Sequence, residues 1–307
     1  MSLHRRVRAV VCAVVLLSVA LPAPAMAEQE KTVQWNENWP RVRWIEILNV
    51  IALTIGSGLV HATPVADRAR WEGPILFDGP ARRLMKLDTA RRQRVAANIS
   101  DYLYKGMVLA PYIVDNYITA LGVHQNADVA LQMTLIDMQS LGLSGVITLG
   151  VEHATGRARP YTRDCTPGVP GPDKIGFNYC GGPDDFQSFY SGHAAAAFTM
   201  AGLTCAHHQH LPLYGGGMPD VMACVVMLGL ASTTGVMRIM ADRHWASDVI
   251  VGSAVGVING YVVPLWLHYG FGNRAKALPT AVNTAWGLFV PVPQVYEGGG
   301  GIGLTVF

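Results

Sequence analysis

Long apolar stretches alternate with polar connectors along most of the chain. Six of them, Trp44 to His61, Leu103 to Leu121, Val129 to Val151, Ala194 to Ala206, Val221 to Met240 and Val249 to Trp266, are too long for ordinary strands and predict helices. Candidate starts are Asp128, Asp220 after Pro219, and Ser247-Asp248, side chains that accept from the first free amides of a helix. The pattern predicts an all-α fold, a bundle of about six long apolar helices. The segment Tyr161 to Gln187 is rich in Pro, Gly and Asp, breaks the helical period, and reads as an active-site loop. Beyond Gly270 the periodicity weakens, and Ile302 to Phe307 reads as a short strand or an extended tail.

Composition sharpens this picture. Half the residues are apolar and 14% are charged, against about 25% charged in soluble domains. That balance fits a membrane protein or a very helical buried core. The net charge of +2 supplies no global field, and no basic run with interleaved aromatics appears, so nucleic acid is excluded as a partner. Residues 1–27 read as a secretory signal: Arg5, Arg6 and Arg8, the apolar Ala9 to Leu21, then Ala25-Met26-Ala27 before Glu28. Residues 28–307 then form a single domain, exported to the periplasm or the extracellular space, where disulfides form. Cys165 and Cys180 flank the irregular loop and are expected to pair. Cys205 and Cys224 lie in apolar helical stretches and read as buried thiols.

Three separated clusters share one chemical theme. Arg157, Arg159 and Pro160 follow a long apolar helix; Ser191-Gly192-His193 precedes another; Arg238, His244 and Asp248 form the third. Arg159 and Arg238 adjoin apolar runs where an unpaired charge is costly, and each offers a planar donor fork suited to a tetrahedral anion. Ser191 and Gly192 stand at a predicted helix N-terminus, whose free amides favour anions. His244 and Asp248 are four apart, so on a helix they share a face and the carboxylate can orient the imidazole for attack. His207, His208 and His210 form a further cluster, read as solvent-facing rather than as a metal site.

In order and spacing these clusters resemble the type 2 phosphatidic acid phosphatase and vanadium haloperoxidase superfamily, over roughly residues 100 to 268. The matching stretches are Glu152 to Pro160, Tyr190 to His193 and Met237 to Asp248. The resemblance implies that His244 attacks phosphorus, Asp248 orients it and His193 protonates the leaving alcohol. Arg159, Arg238, Ser191 and the Gly192 amide would hold the phosphoryl oxygens, with no metal. It implies a phosphomonoester, lipid phosphate or diphosphate as substrate, and vanadate as an inhibitor.

Three positions depart from the pattern: Glu152 stands for a lysine, Tyr190 for a proline and Met237 for a serine. Glu152 replaces a cation by an anion, with Arg157 and Arg163 as nearby substitutes. The alternatives are a haloperoxidase, in which vanadate is the cofactor, and a weakly active or silent phosphate-binding relative. Glu152 weighs against the first, because vanadate stays anionic throughout turnover; intact His193, Arg238, His244 and Asp248 weigh against the second. In the family's six-helix members the site faces outward, so the basic connector Ala62 to Ser100 would lie outside, against the positive-inside tendency. With the signal, this favours an exported or peripheral bundle over an integral one.

Overall fold

The computed structural model describes residues 33–165, 180–182, 184–270, 289–296 and 299–306. The predicted signal lies outside the described residues, as does most of the connection between Cys165 and Cys180. Seven α-helices follow one another: α1 (Trp44–His61), α2 (Asp78–Met85), α3 (Ala90–Ala110), α4 (Ala127–Thr155), α5 (Gly192–His210), α6 (Met218–Met240) and α7 (Ala246–Val257). The long α3 continues through Pro111 into a π-helical stretch, Pro111–Val123. Proline has no amide proton for the regular ladder, which accounts for the change of winding there. π-Helical turns likewise extend α7 through Leu265–Tyr269. An antiparallel hairpin, Phe289–Tyr296 with Gly299–Val306, ends the described chain, so the expected tail is a strand over Ile302 to Val306, its described part.

All six expected apolar helices form. Sequence periodicity missed α2 and the charged first half of α3, whose polar residues interrupt the apolar pattern. It also misplaced the starts. Asn126, not Asp128, caps α4 by accepting from the Val129 amide at 3.0 Å. Asp220 binds the amides of Tyr214 and Gly216 and so shapes the preceding loop. α7 begins at Ala246, with Trp245 as its N-cap.

α5 is the central helix. Its Ala, Gly and Thr positions are buried on nearly every face, as expected of a helix without a polar side. The small residues let neighbours approach as backbones. A Cβ at Gly252, Gly256 or Gly260 would come within 2.6, 2.4 or 1.9 Å of the carbonyl oxygens of Ser191, Ala195 and Thr199. This four-residue glycine period packs α7 and its extension directly against α5. Both cysteine pairs are bonded, Cys165 to Cys180 and Cys205 to Cys224. The second pair corrects the expectation of buried thiols, and it clamps α5 to α6.

Among the described residues, five helices are long and apolar enough to cross a membrane: Trp44–His61, Ala90–Val123, Ala127–Thr155, Met218–Met240 and Ala246–Tyr269. On α1 only 6% of the apolar window is buried, leaving Trp44, Ile51, Ile55 and Leu59 exposed. Eighteen residues at about 1.5 Å each reach about 27 Å, close to the hydrocarbon thickness of a bilayer.

Candidate active site

The three clusters meet at one end of the bundle. α4 stops at Gly156, whose left-handed φ of 55° closes the helix and turns the chain so that Arg157 and Arg159 enter the bundle. α6 stops just after Arg238, and Asp242, at φ 61°, makes the tight turn that delivers Arg243 and His244. Arg82 from α2 grips Asp242 through two 2.7 Å hydrogen bonds and holds that turn. The Ser191 amide donates to the carbonyl of Asp248 at 3.1 Å, locking the start of α5 to α7.

His244 precedes α7 rather than lying on it, so its link to Asp248 is not the expected direct one. His244 Nδ1 donates to the Ser188 carbonyl at 2.8 Å, whereas Asp248 Oδ2 stands 3.8 Å away. Asp248 acts instead on the scaffold: Oδ2 accepts from the Ser188 hydroxyl at 2.6 Å and the Trp245 amide at 2.8 Å. Its Oδ1 accepts from Arg157. With the Nδ1 proton donated to Ser188, Nε2 carries the lone pair of His244, which accepts a hydrogen bond from Arg159 Nη1 at 3.3 Å. Burial first, and then the positive charges of Arg159 and Arg238, hold this imidazole well below its ordinary pKa, so it is neutral at pH 7.

Arg157 does not substitute for the missing lysine. It is completely buried, pairs with Asp78 at 2.7 Å and with Asp248 at the other side of the guanidinium, and stacks over Trp71 at 4.1 Å. Asp78 in turn accepts from the amide and hydroxyl of Ser247, both at 2.8 Å. Arg163 is exposed. The cation that joins Arg159 and Arg238 is Arg243, whose charge acts on Arg238 and Asp101 alike. Glu152 places its carboxylate near the start of α5, with Oε1 3.7 Å from where a Gly192 Cβ would stand. Among the described residues its carboxylate makes no hydrogen bond or ion pair, so no arginine is hydrogen-bonded to it.

Arg159 is held from behind, its Nε donating to the Asp184 carbonyl at 2.7 Å. Arg238 Nη1 reaches Ser100 Oγ at 3.3 Å and Asp101 at 3.1 Å, while its buried Nε has no partner among the described residues. Ser191 is fully buried and caps α5, accepting from the Ala194 amide at 3.4 Å. His193 Nε2 lies 2.9 Å from Asp101. Burial and Arg238 lower the His193 pKa to about 4 against the opposing pull of Asp101. All seven predicted site residues are therefore neighbours, and sequence reading missed Asp101, Ser188, Asp78 and Arg243. Only the charge of Asp78, Asp101 and Arg243 marked them beforehand.

No group of three or more His, Cys, Asp or Glu side chains suited to a metal occurs among the described residues. His207, His208 and His210 are buried, not solvent-facing, because each finds a partner inside the bundle. His207 lies between Asp137 at 2.8 Å and the Tyr269 hydroxyl at 2.6 Å; His208 binds Asp220 at 2.6 Å; His210 bonds the Ala206 carbonyl and stacks on Tyr269.

A 97-residue stretch is 45% identical to the Lipid A 1-phosphatase of Porphyromonas gingivalis, spanning 32% of this chain and only 19% of that relative. A transmembrane PAP2 type phosphatidylglycerolphosphate phosphatase from Bacillus subtilis aligns over 73% of this chain and 96% of its own, at 15% identity and a TM-score of 0.44. The PAP2 superfamily profile matches residues 135–271, the segment that carries all three motifs.

Proposed function

We propose that the protein is a membrane-associated phosphatase that hydrolyses a phosphorylated lipid through a phosphohistidine formed at Nε2 of His244. The observation that carries this reading is a buried, neutral imidazole with Nδ1 tied to a backbone carbonyl and Nε2 facing Arg159. A phosphoryl group seated between Arg159, Arg238 and the first amides of α5 brings phosphorus against that lone pair. Nε2 forms the P–N bond as the ester P–O bond breaks, and His193 gives the leaving oxygen its proton. Water then attacks the phosphohistidine, losing a proton to His193 and releasing phosphate. Fixed donors around the equatorial oxygens supply the main stabilisation of such a transition state.

Two features support a lipid substrate: the exposed apolar surfaces of the five long helices, and the name of the Porphyromonas gingivalis relative. The site draws its donors from arginines and amides, and the expected activity is insensitive to EDTA and inhibited by vanadate. The decisive experiment uses the purified full chain in detergent with a ³²P-labelled lipid phosphate and an aryl phosphate. Rapid quenching should trap an acid-labile, base-stable label on His244. Turnover without any such label, or full dependence on an added divalent cation, would overturn the mechanism.

A further inference from the structure

We infer that Asp101 is a positioning residue for the proton donor, an inference that rests on the phosphatase reading above. Asp101 lies on α3, far in sequence from all three clusters, yet its Oδ1 is 2.9 Å from His193 Nε2 and 3.1 Å from Arg238 Nη1. A carboxylate can only accept, so the His193 proton resides on Nε2 and the ring orientation is fixed. Tyr104, one helical turn further along α3, lies against the same ring with centroids 4.8 Å apart. Together they hold His193 from the side of α3. Nδ1 is left as the nitrogen that takes up the mobile proton when an anionic phosphoryl group, by offsetting Arg238 and Arg159, lets the imidazolium form: it gives that proton to the leaving oxygen as the P–O bond breaks and recovers one from the attacking water. Asp101 accepts Nε2–H throughout and stabilises the imidazolium, the role that a buried carboxylate plays behind the histidine of a hydrolytic triad. The same oxygen accepts from Arg238 Nη1, which Ser100 Oγ also holds at 3.3 Å, so this arm of the anion clamp keeps a partner without Asp101.

The test compares wild type with Asp101→Ala, Asp101→Asn and His193→Ala on an alkyl phosphate and a nitrophenyl phosphate, in detergent. The Asp101 side chain is 42% exposed, so truncation leaves no sealed cavity. General acid assistance is worth about a hundred- to ten-thousandfold. Asp101→Ala should therefore lower kcat on the alkyl ester about a hundredfold and on the nitrophenyl ester by less than about tenfold. Asp101→Asn, which keeps an acceptor for Nε2–H, should fall between wild type and Asp101→Ala. On the alkyl ester the double variant with His193→Ala should be no slower than His193→Ala alone. Equal losses on both esters, or a further loss in the double variant, would overturn the inference. ¹⁵N-histidine NMR reads the same link without turnover: wild-type His193 should carry its proton on Nε2, and Asp101→Ala should lose that preference. A wild type that releases no phosphate from any ester sinks the phosphatase reading. An unchanged His193 signal in Asp101→Ala sinks the role of Asp101.

Discussion

The two ends of α5 carry polar clusters of similar size and opposite character. At the C-terminal end, His207 is bonded on both ring nitrogens and Asp137 is also held by Asn116 at 2.9 Å. His208 sits between Asp220 and Asp115, and the Tyr214 hydroxyl donates to Asp115 at 2.6 Å. There, His207 and His208 each stand against a buried carboxylate. At the N-terminal end Arg159, Arg238 and Arg243 converge around His193 and His244, with Asp101 bonded to Arg238 and His193 and Asp184 3.9 Å from Arg243. Buried polar groups are tolerable when paired, and costly when not. The closed cluster therefore reads as architecture, and the cationic excess of the open one is what an anion completes.

The sharpest break in that comparison comes from His244→Ala. It should lower kcat on every ester by on the order of 10⁴-fold or more, as loss of a nucleophile does, and remove the acid-labile label while thermal unfolding stays cooperative. Label recovered from this variant would show that the nucleophile lies elsewhere. Asp137→Ala at the closed end should do the reverse. Leaving His207 and Asn116 without their partner should cost about 3–5 kcal/mol of stability, read as a lower unfolding midpoint, with kcat per folded molecule unchanged. A fall in kcat at full stability would mean that the two clusters are coupled.

Smaller effects sharpen the contrast. Glu152→Gln neutralises a buried carboxyl near the start of α5 that has no hydrogen-bonded arginine, and where that carboxyl is ionised the inhibition constant for vanadate should tighten about tenfold, equal to ~1.4 kcal/mol. An unchanged constant would place Glu152 outside the anion's field. The pH dependence should be the mildest effect. Because the His244 pKa is depressed, the imidazole stays neutral as pH falls from 8 through 6.5, so its lone pair remains available. In kcat/KM for an aryl phosphate, the limb that reports His244 should lie well below pH 6.5. A loss of activity centred at or above 6.5 and removed by changing the groups around His244 would contradict this.

Much of this was legible beforehand, and the misses have physical causes. Helix existence follows from apolar length, so the six long segments were readable. Helix starts depend on which side chain reaches which amide, so Asp128 and Asp220 misled. The residues of the three clusters were recognisable from type and spacing, whereas their second partners come from distant chain. Asp101 meets His193 across 92 residues, and Asp78 meets Ser247 across 169. Spacing placed Asp248 beside His244, but the Trp245 cap takes His244 off the helix and hands its Nδ1 to the Ser188 carbonyl. The Cys205–Cys224 bridge depends on how α5 faces α6, which neither apolar segment reveals alone.

The glycine ladder of α7 makes the catalytic spacing a property of the main chain. Ser191 heads one helix and Asp248 stands in the first turn of the other, and the contact between these helices is backbone on backbone. Side-chain exchanges at Glu152, Tyr190 and Met237 would therefore leave unchanged the gauge between the proposed anion cradle and the proposed nucleophile. The tolerance ends at the rungs: a single methyl at Gly256 has no rotamer to retreat into and would wedge the helices apart. Such a molecule is freer to change what it recognises than how far apart its reacting groups stand.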